Sequence, residues 1–300
     1  MAEDTDLTVE REALASIHGL ILPEDLLDAE IVLELEPGLS VVNLDTHTQR
    51  LMHQTETVRR VGIFRWGERL PAVRLLYHAP PSPPESEADS AERANDVLQQ
   101  VLERLRVYRP GSIYFGGIIH RKVHEQGAIE LFHRPWIAKV MPLYLLSDHY
   151  DLRGFAEFWR VAQSAEVRNL QHIALAVRWF STSLETRRTD DAVICIMTSL
   201  ESLFTAGTRS QKGRHIAESA AALFSSSPER QEIHDIFADT YRLRNDILHK
   251  GHSYQWRPHP AGRDIEVPEL VDQATHYARR CIALVIRRTA SNQIEPNSAA

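Results

Sequence analysis

The two halves of the chain differ in the spacing of their hydrophobic residues. In the first half, apolar and polar residues alternate over residues 29–35, which predicts a strand, and residues 73–77 are a second strand candidate. Two more strands are predicted at 112–115 and 128–132, on either side of a turn-rich stretch. Residues 91–107 carry apolar side chains three and four positions apart, which predicts an amphipathic helix. This half is therefore interpreted as mixed α/β.

Beyond about residue 147 the hydrophobic period becomes helical and remains so almost to the end. The predicted helices, each with its apolar residues on one face, cover residues 155–162, 170–180, 191–206, 213–224, 228–249 and 267–288. The predicted fold class is α+β, with a mixed α/β N-terminal domain over 1–147, an all-α helical bundle over 148–290 and a flexible tail over 291–300. Residues 80–90 begin with a proline-rich run and are predicted to form a flexible excursion.

Composition adds that this is an ordinary globular chain. Hydrophobic residues make up 43% and charged residues 25% of the 300 positions, which excludes wholesale disorder. No apolar run approaches the roughly 20 residues of a spanning helix, and the acidic N-terminus lacks a secretory pattern. Cys195 and Cys281 cannot build a disulfide framework or a four-cysteine zinc site. We therefore expect a cytoplasmic protein with two buried thiols and no membrane partner.

Charge is distributed unevenly between the halves. The net charge of −7 divides into −8 for residues 1–150 and +1 for residues 151–300. An acidic N-terminal half is a poor ligand for a phosphate backbone. A nucleic-acid contact would need a local basic patch in the C-terminal half, and the residues considered for it are Arg209, Lys212, Arg214, Arg287 and Arg288.

One charged residue interrupts an apolar helix face. On the wheel of the helix ending near His249, Arg244 falls inside an apolar arc formed by Ile233, Ile236, Phe237, Thr240, Ile247 and Leu248. A desolvated ion needs a partner or an aqueous cavity. Arg244 is therefore expected to be ion-paired inside the bundle or to project into a cleft or subunit seam. Glu201 flanks the apolar arc of the 191–206 helix and is the predicted partner.

The residues around Arg244 resemble a known family. Arg244 is followed directly by Asn245, and by His249 five positions later, which resembles the R-x4-6-H motif of the HEPN superfamily. The spacing Tyr241-x-x-Arg244-Asn245-x-Ile247-x-His249-x-Gly251 is similar to the "YxxRNxIxHG" helix of the Apea-like HEPN family, and Ser199-Leu200-Glu201-Ser202-Leu203-Phe204 to its "LEaLf" helix. The resemblance covers residues 150–290.

The resemblance implies a metal-independent endoribonuclease without a cofactor. His249 would act as general base or acid, Arg244 would clamp the phosphate oxygens, and Asn245 would orient the histidine or donate to the phosphate. The expected substrate is RNA rather than DNA, and the product a 2′,3′-cyclic phosphate. One motif supplies one histidine, so a homodimer is expected to complete the site. The setting implied is prokaryotic defence, with the N-terminal domain sensing a trigger.

Other interpretations remain open. The same helices could form a non-catalytic HEPN interaction module, in which Arg244 and Glu201 make a structural pair and His249 stabilises a helix end. Tyr241 is expected to support the site by packing. The spacing of His249, His252 and His259 lacks the acidic or cysteine ligands of common metal sites, so no metal is expected.

Overall fold

The computed structural model of the chain divides into two compact units. The sheet unit comprises Met1–Leu105, Gly111–Trp136 and Met141–Trp159, and the helical unit comprises Arg106–Pro110, Ile137–Val140 and Arg160–Ala300. The residues that the structure describes are 9–26, 29–46, 48–49, 71–79, 84–111, 113–123, 130–132, 144–146, 148–205, 210–251 and 266–291. The predicted tail therefore lies, from residue 292 onward, outside the described residues.

The sheet unit is built on a six-stranded antiparallel sheet of order β3-β4-β5-β1-β6-β7. Its strands are β1 (Val9–His18), β3 (Ile31–Glu36), β4 (Leu39–Asn43), β5 (Pro71–Ala79), β6 (Tyr114–Lys122) and β7 (Glu130–Phe132). The short strands β2 (Leu20–Ile21) and β8 (Tyr144–Leu145) form a separate parallel pair, and α1 spans Pro84–Tyr108. Strand β3 lies at the end of this order, with Glu34 and Glu36 exposed.

The central strand β1 was not among the predicted strands. It pairs with β5 on one side and β6 on the other. Ala13, Leu14, Ala15 and Ile17 are all at most 2% exposed, so consecutive positions on opposite faces are buried. A strand covered on both faces loses the alternation of apolar and polar residues on which the prediction depended.

Two further predictions in this half were wrong. The stretch after residue 115 was interpreted as turn-rich, whereas β6 continues to Lys122 and pairs with β1 across a register shift between Ala15 and Ile17. The flexible excursion was predicted to reach Ser90, whereas α1 begins at Pro84. Proline is compatible with the first turn of a helix, because its missing N–H has no intrahelical partner there.

The second half is helical as predicted. Its helices are α2 (His149–Ala162), α3 (Ala165–Arg168), α4 (Gln171–Glu185), α5 (Thr189–Phe204), α6 (Lys212–Ala222), α7 (Ser227–Lys250) and α8 (Val267–Ala290). The α+β class is thus confirmed. Within the described ranges, no helix combines the length and the apolar character needed to cross a bilayer.

Candidate functional site

Helix α7 carries most of the predicted site residues and runs unbroken to its end. It begins with a proline in its first turn and ends at Gly251, which has φ 65° and donates its backbone N–H to the carbonyl oxygen of Asp246. A left-handed glycine at this position is a common helix stop, since glycine lacks the Cβ that disfavours positive φ. The predicted stop is confirmed, and the helix geometry fixes the directions of Arg244 and His249.

Arg244 lies beside the buried face of α7 and is 19% exposed. Its Nη2 lies 3.3 Å from Oε1 of Glu201 on α5, and its Nη1 donates to Oδ1 of Asn245 at 3.1 Å. The Tyr241 ring centroid lies 5.7 Å from the guanidinium carbon. The structure therefore brings together four of the five residues singled out from the sequence.

Glu201 faces a second cation that the sequence did not place in the site. The Nζ of Lys212, the first residue of α6, lies 3.7 Å from Oε2 of Glu201. The Glu201 side chain is 17% exposed and that of Lys212 is 40% exposed. We call Arg244, Glu201 and Lys212 the Arg–Glu–Lys cluster. It contains two cations and one carboxylate, so its formal charge is positive.

His249 points away from this cluster. Five residues of a regular α-helix separate it from Arg244 by a rotation of about 140°. Its side chain is exposed, and among the described residues it shares no hydrogen bond or ion pair with the cluster. A single chain therefore does not assemble Arg244 and His249 around one phosphate.

The apolar arc predicted on α7 ends earlier than expected. Ile233, Ile236 and Phe237 are fully buried, whereas Leu248, which was assigned to the same arc, is 46% exposed. Because Leu243 is the last buried residue of the helix, the final turn extends beyond the core of its own chain. An exposed leucine thus lies directly beside the exposed His249.

The members of the predicted basic patch have separate partners. Nε of Arg214 donates to Glu218 at 2.7 Å, and Nη2 of Arg288 donates to the carbonyl oxygen of Leu223 at 2.6 Å. Arg209 lies outside the described residues. Lys212 is the member of this set whose carboxylate partner also contacts Arg244.

A second polar cluster, which the sequence interpretation missed, lies in the sheet unit. His120 is 1% exposed, and its Nδ1 and Nε2 lie 2.8 Å from the Tyr77 hydroxyl and from Oδ1 of Asn95, respectively. Burial, and secondarily the charge of Arg11, lower the pKa of His120 to about 4. A neutral ring fits these contacts, because Nε2 can donate to the amide oxygen while Nδ1 accepts from the hydroxyl. This arrangement is typical of a packed core histidine.

A metal site needs several ligating side chains close together. Across the described ranges, no group of three or more His, Cys, Asp or Glu residues is arranged to hold a metal ion. Cys195 and Cys281 are both buried, and burial raises the pKa of each thiol. His252 and His259 lie outside the described residues.

Comparison with models of protein families, with curated proteins and with solved structures gives no match for this chain. The HEPN resemblance therefore depends on the residues quoted for it and on their spacing.

Proposed function

We propose that this protein is a metal-independent endoribonuclease of the HEPN type. The observation that carries the proposal is the burial and the hydrogen bonding of the Arg244 side chain. Its guanidinium is mostly buried on the core side of α7, yet its Nε has no hydrogen-bond partner among the described residues and its Nη1 is held by Asn245. A guanidinium that is held in one orientation, and whose contact with its carboxylate partner is only a 3.3 Å ion pair, can exchange that contact for phosphate oxygens when RNA binds.

The reaction uses groups that this chain carries. A neutral histidine removes the proton from the ribose 2′-OH, and the oxygen attacks the adjacent phosphorus. Arg244 stabilises the charge that develops on the phosphate oxygens. The bond from phosphorus to the 5′-oxygen then breaks, and a protonated histidine gives its proton to the leaving oxygen. The products are a 2′,3′-cyclic phosphate and a free 5′-hydroxyl.

The proposed active form is a two-fold homodimer through the helical unit. General acid and general base require two groups, and the motif supplies one histidine per chain. Because His249 and Arg244 diverge on a regular helix, a second copy of α7 has to complete the site. Leu248, which is exposed beside His249, would provide an apolar contact in the interface between the two copies. By the same resemblance, we place the activity in prokaryotic defence, in the cytoplasm, with the sheet unit as sensor.

A second candidate function is a non-catalytic HEPN-type interaction or dimerisation module. The observation that favours it is the 3.3 Å contact between Arg244 and Glu201 within one chain. Such a pair can be purely structural, because it neutralises two largely buried ions. In that case Arg244 would maintain the packing of α5 on α7 and would bind no phosphate.

The test is cleavage of a defined single-stranded RNA by the purified full chain in EDTA. We expect Arg244→Ala and His249→Ala each to lower the cleavage rate by at least about 100-fold. Two residues of the same helix serve as matched controls, Arg230→Ala and His234→Ala, and both variants should cleave like the wild type. Equal cleavage by the wild type and both site variants would remove the assignment, and a wild type that dimerises without cleaving RNA would favour the second candidate.

A further inference from the structure

The Arg–Glu–Lys cluster has one more cation than carboxylate, which favours the binding of an anion. Glu201 alone would cancel the charge of Arg244, and such a pair would attract a phosphate weakly. Lys212 adds the second cation, and its Nζ lies 3.7 Å from Oε2, the carboxylate oxygen of Glu201 that does not face Arg244. We propose that Lys212 is a second phosphate-binding residue, which binds the RNA backbone together with Arg244. This inference depends on the proposed function.

The packing of α6 on α7 explains why Lys212 reaches this place. Gly213 follows Lys212 and lies against the ring of Tyr241. A Cβ at position 213 would lie 2.7 Å from Cγ of Tyr241, a separation that real Cβ atoms essentially never show. Glycine is therefore the residue that lets the first turn of α6 approach α7 so closely. This approach brings the lysine within ion-pair distance of Glu201.

The contacts of Glu201 with the two cations of the cluster are ion pairs rather than close hydrogen bonds. Oε1 of Glu201 accepts no hydrogen bond from the described residues, although Nη2 of Arg244 lies 3.3 Å away. Charge-assisted hydrogen bonds from arginine to phosphate are shorter and stronger than such a contact. Lys212 is 40% exposed, so its ammonium group can turn to a ligand at little cost in desolvation. With one phosphodiester bound, two cations face two anions and the cluster is neutral.

Binding of RNA tests the role of Lys212 separately from cleavage. The full chain carrying His249→Ala binds a fluorescein-labelled single-stranded RNA, and the dissociation constant is measured by anisotropy at several salt concentrations. We expect Lys212→Gln in this background to weaken binding by about tenfold and to lower the slope of log K against log salt by about 0.7. Lys212→Arg should restore the slope, because it keeps the charge.

The matched control is Lys122→Gln, which makes the same change of charge in the sheet unit and should leave the slope unchanged. If Lys212→Gln and Lys122→Gln have equal slopes, Lys212 does not bind the backbone and the inference is wrong, even if the wild type cleaves RNA. If the His249→Ala chain does not bind RNA at all, the inference is also overturned. If the wild type does not cleave RNA but the Lys212→Gln slope falls, the failure concerns catalysis alone and the phosphate site stands.

Discussion

The ring of Tyr241 fills the space that a side chain at position 213 would occupy. This contact joins the start of α6 to the second half of α7. Lys212 directly precedes Gly213, and Arg244 lies three positions after Tyr241. The contact between glycine and tyrosine therefore brings both cations to the carboxylate of Glu201. One glycine therefore controls the geometry of a cluster to which it contributes no side chain.

Gly213→Ala should displace the start of α6, because the added methyl group meets an aromatic ring. We expect a loss of roughly 1–3 kcal/mol in the free energy of unfolding, as is usual for overpacking. RNA binding in the His249→Ala background should weaken in the same way as for Lys212→Gln. Urea denaturation and anisotropy measure the two effects. Adding Tyr241→Ala creates space, so the double variant should be less destabilised than the sum of the single variants; simple additivity would contradict the contact.

Gly251 tests whether the end of α7 matters for His249. Its φ of 65° is left-handed, and apart from its chain neighbours no atom of the described residues lies within 4 Å of a Cβ built there, so we expect substitutions to act through the backbone. Gly251→Val should cost about 1–2 kcal/mol in this conformation, disturb the last turn and slow RNA cleavage. Gly251→Asn is the matched variant, because asparagine tolerates the left-handed region and should retain most of the activity. Full activity of the valine variant would mean that the position of His249 is unimportant.

Glu201→Gln separates binding from catalysis. Removing the carboxylate leaves Arg244 and Lys212 as two unneutralised cations, so RNA affinity should rise by about threefold, while kcat should fall by about tenfold because Arg244 loses its partner. Single-turnover kinetics at several RNA concentrations distinguish the two parameters. The control is Glu218→Gln, which removes a carboxylate from an exposed pair with Arg214 in the same unit. A variant that only melts at lower temperature, with unchanged affinity and kcat, would indicate a structural pair.

An active site shared between two protomers predicts a specific activity when wild-type and His249→Ala chains are mixed. If each site needs His249 from both protomers, co-refolding equal amounts of wild type and His249→Ala leaves about one quarter of the dimers active, whereas independent sites would leave about half of the activity. Mixing the wild type with His234→Ala is the control and should leave the activity of the wild type unchanged. Two different affinity tags report how many mixed dimers form. A linear dependence of activity on the wild-type fraction would exclude a shared site.

The pH dependence of stability should depend on His120. Its folded-state pKa of about 4 lies below the ordinary value of 6.5, so the unfolded chain binds the proton more tightly. The associated stability is present above pH 6.5 and is lost as the pH falls toward 4. Between pH 7.5 and 5.5 this group should account for roughly 1 kcal/mol of lost stability. Urea denaturation at both pH values should show a smaller loss for His120→Gln than for the wild type, and His78→Gln, an exposed position, should behave like the wild type.

Much of the site could be predicted from α7 and α5 alone. Arg244 and Glu201 are charged residues on or beside apolar helix faces, and such residues need partners inside the fold, so their pairing followed from helical periodicity. Lys212 could not be predicted in this way. Its position depends on how closely two helices approach at Gly213, and that distance comes from tertiary packing rather than from spacing along the chain.

The strands show the same limit. Strand β5 was predicted in part, over residues 73–77, whereas β1 escaped prediction because both of its faces are covered. The glycine pair at 116–117 was interpreted as part of a turn-rich stretch, although it lies inside β6. Glycine has no side chain whose polarity would indicate a buried or an exposed position. Local sequence therefore cannot distinguish a glycine in a turn from a glycine inside a strand.

Strand β3 bears on how copies of this protein can associate. Its exposed glutamates, Glu34 and Glu36, lie along the last strand of the sheet order. If two molecules paired through this strand, their carboxylates would approach one another, and like charges on adjacent strands repel. The glutamates of β3 thus discourage the edge-to-edge joining of sheets into fibres and favour self-association through other surfaces of the molecule.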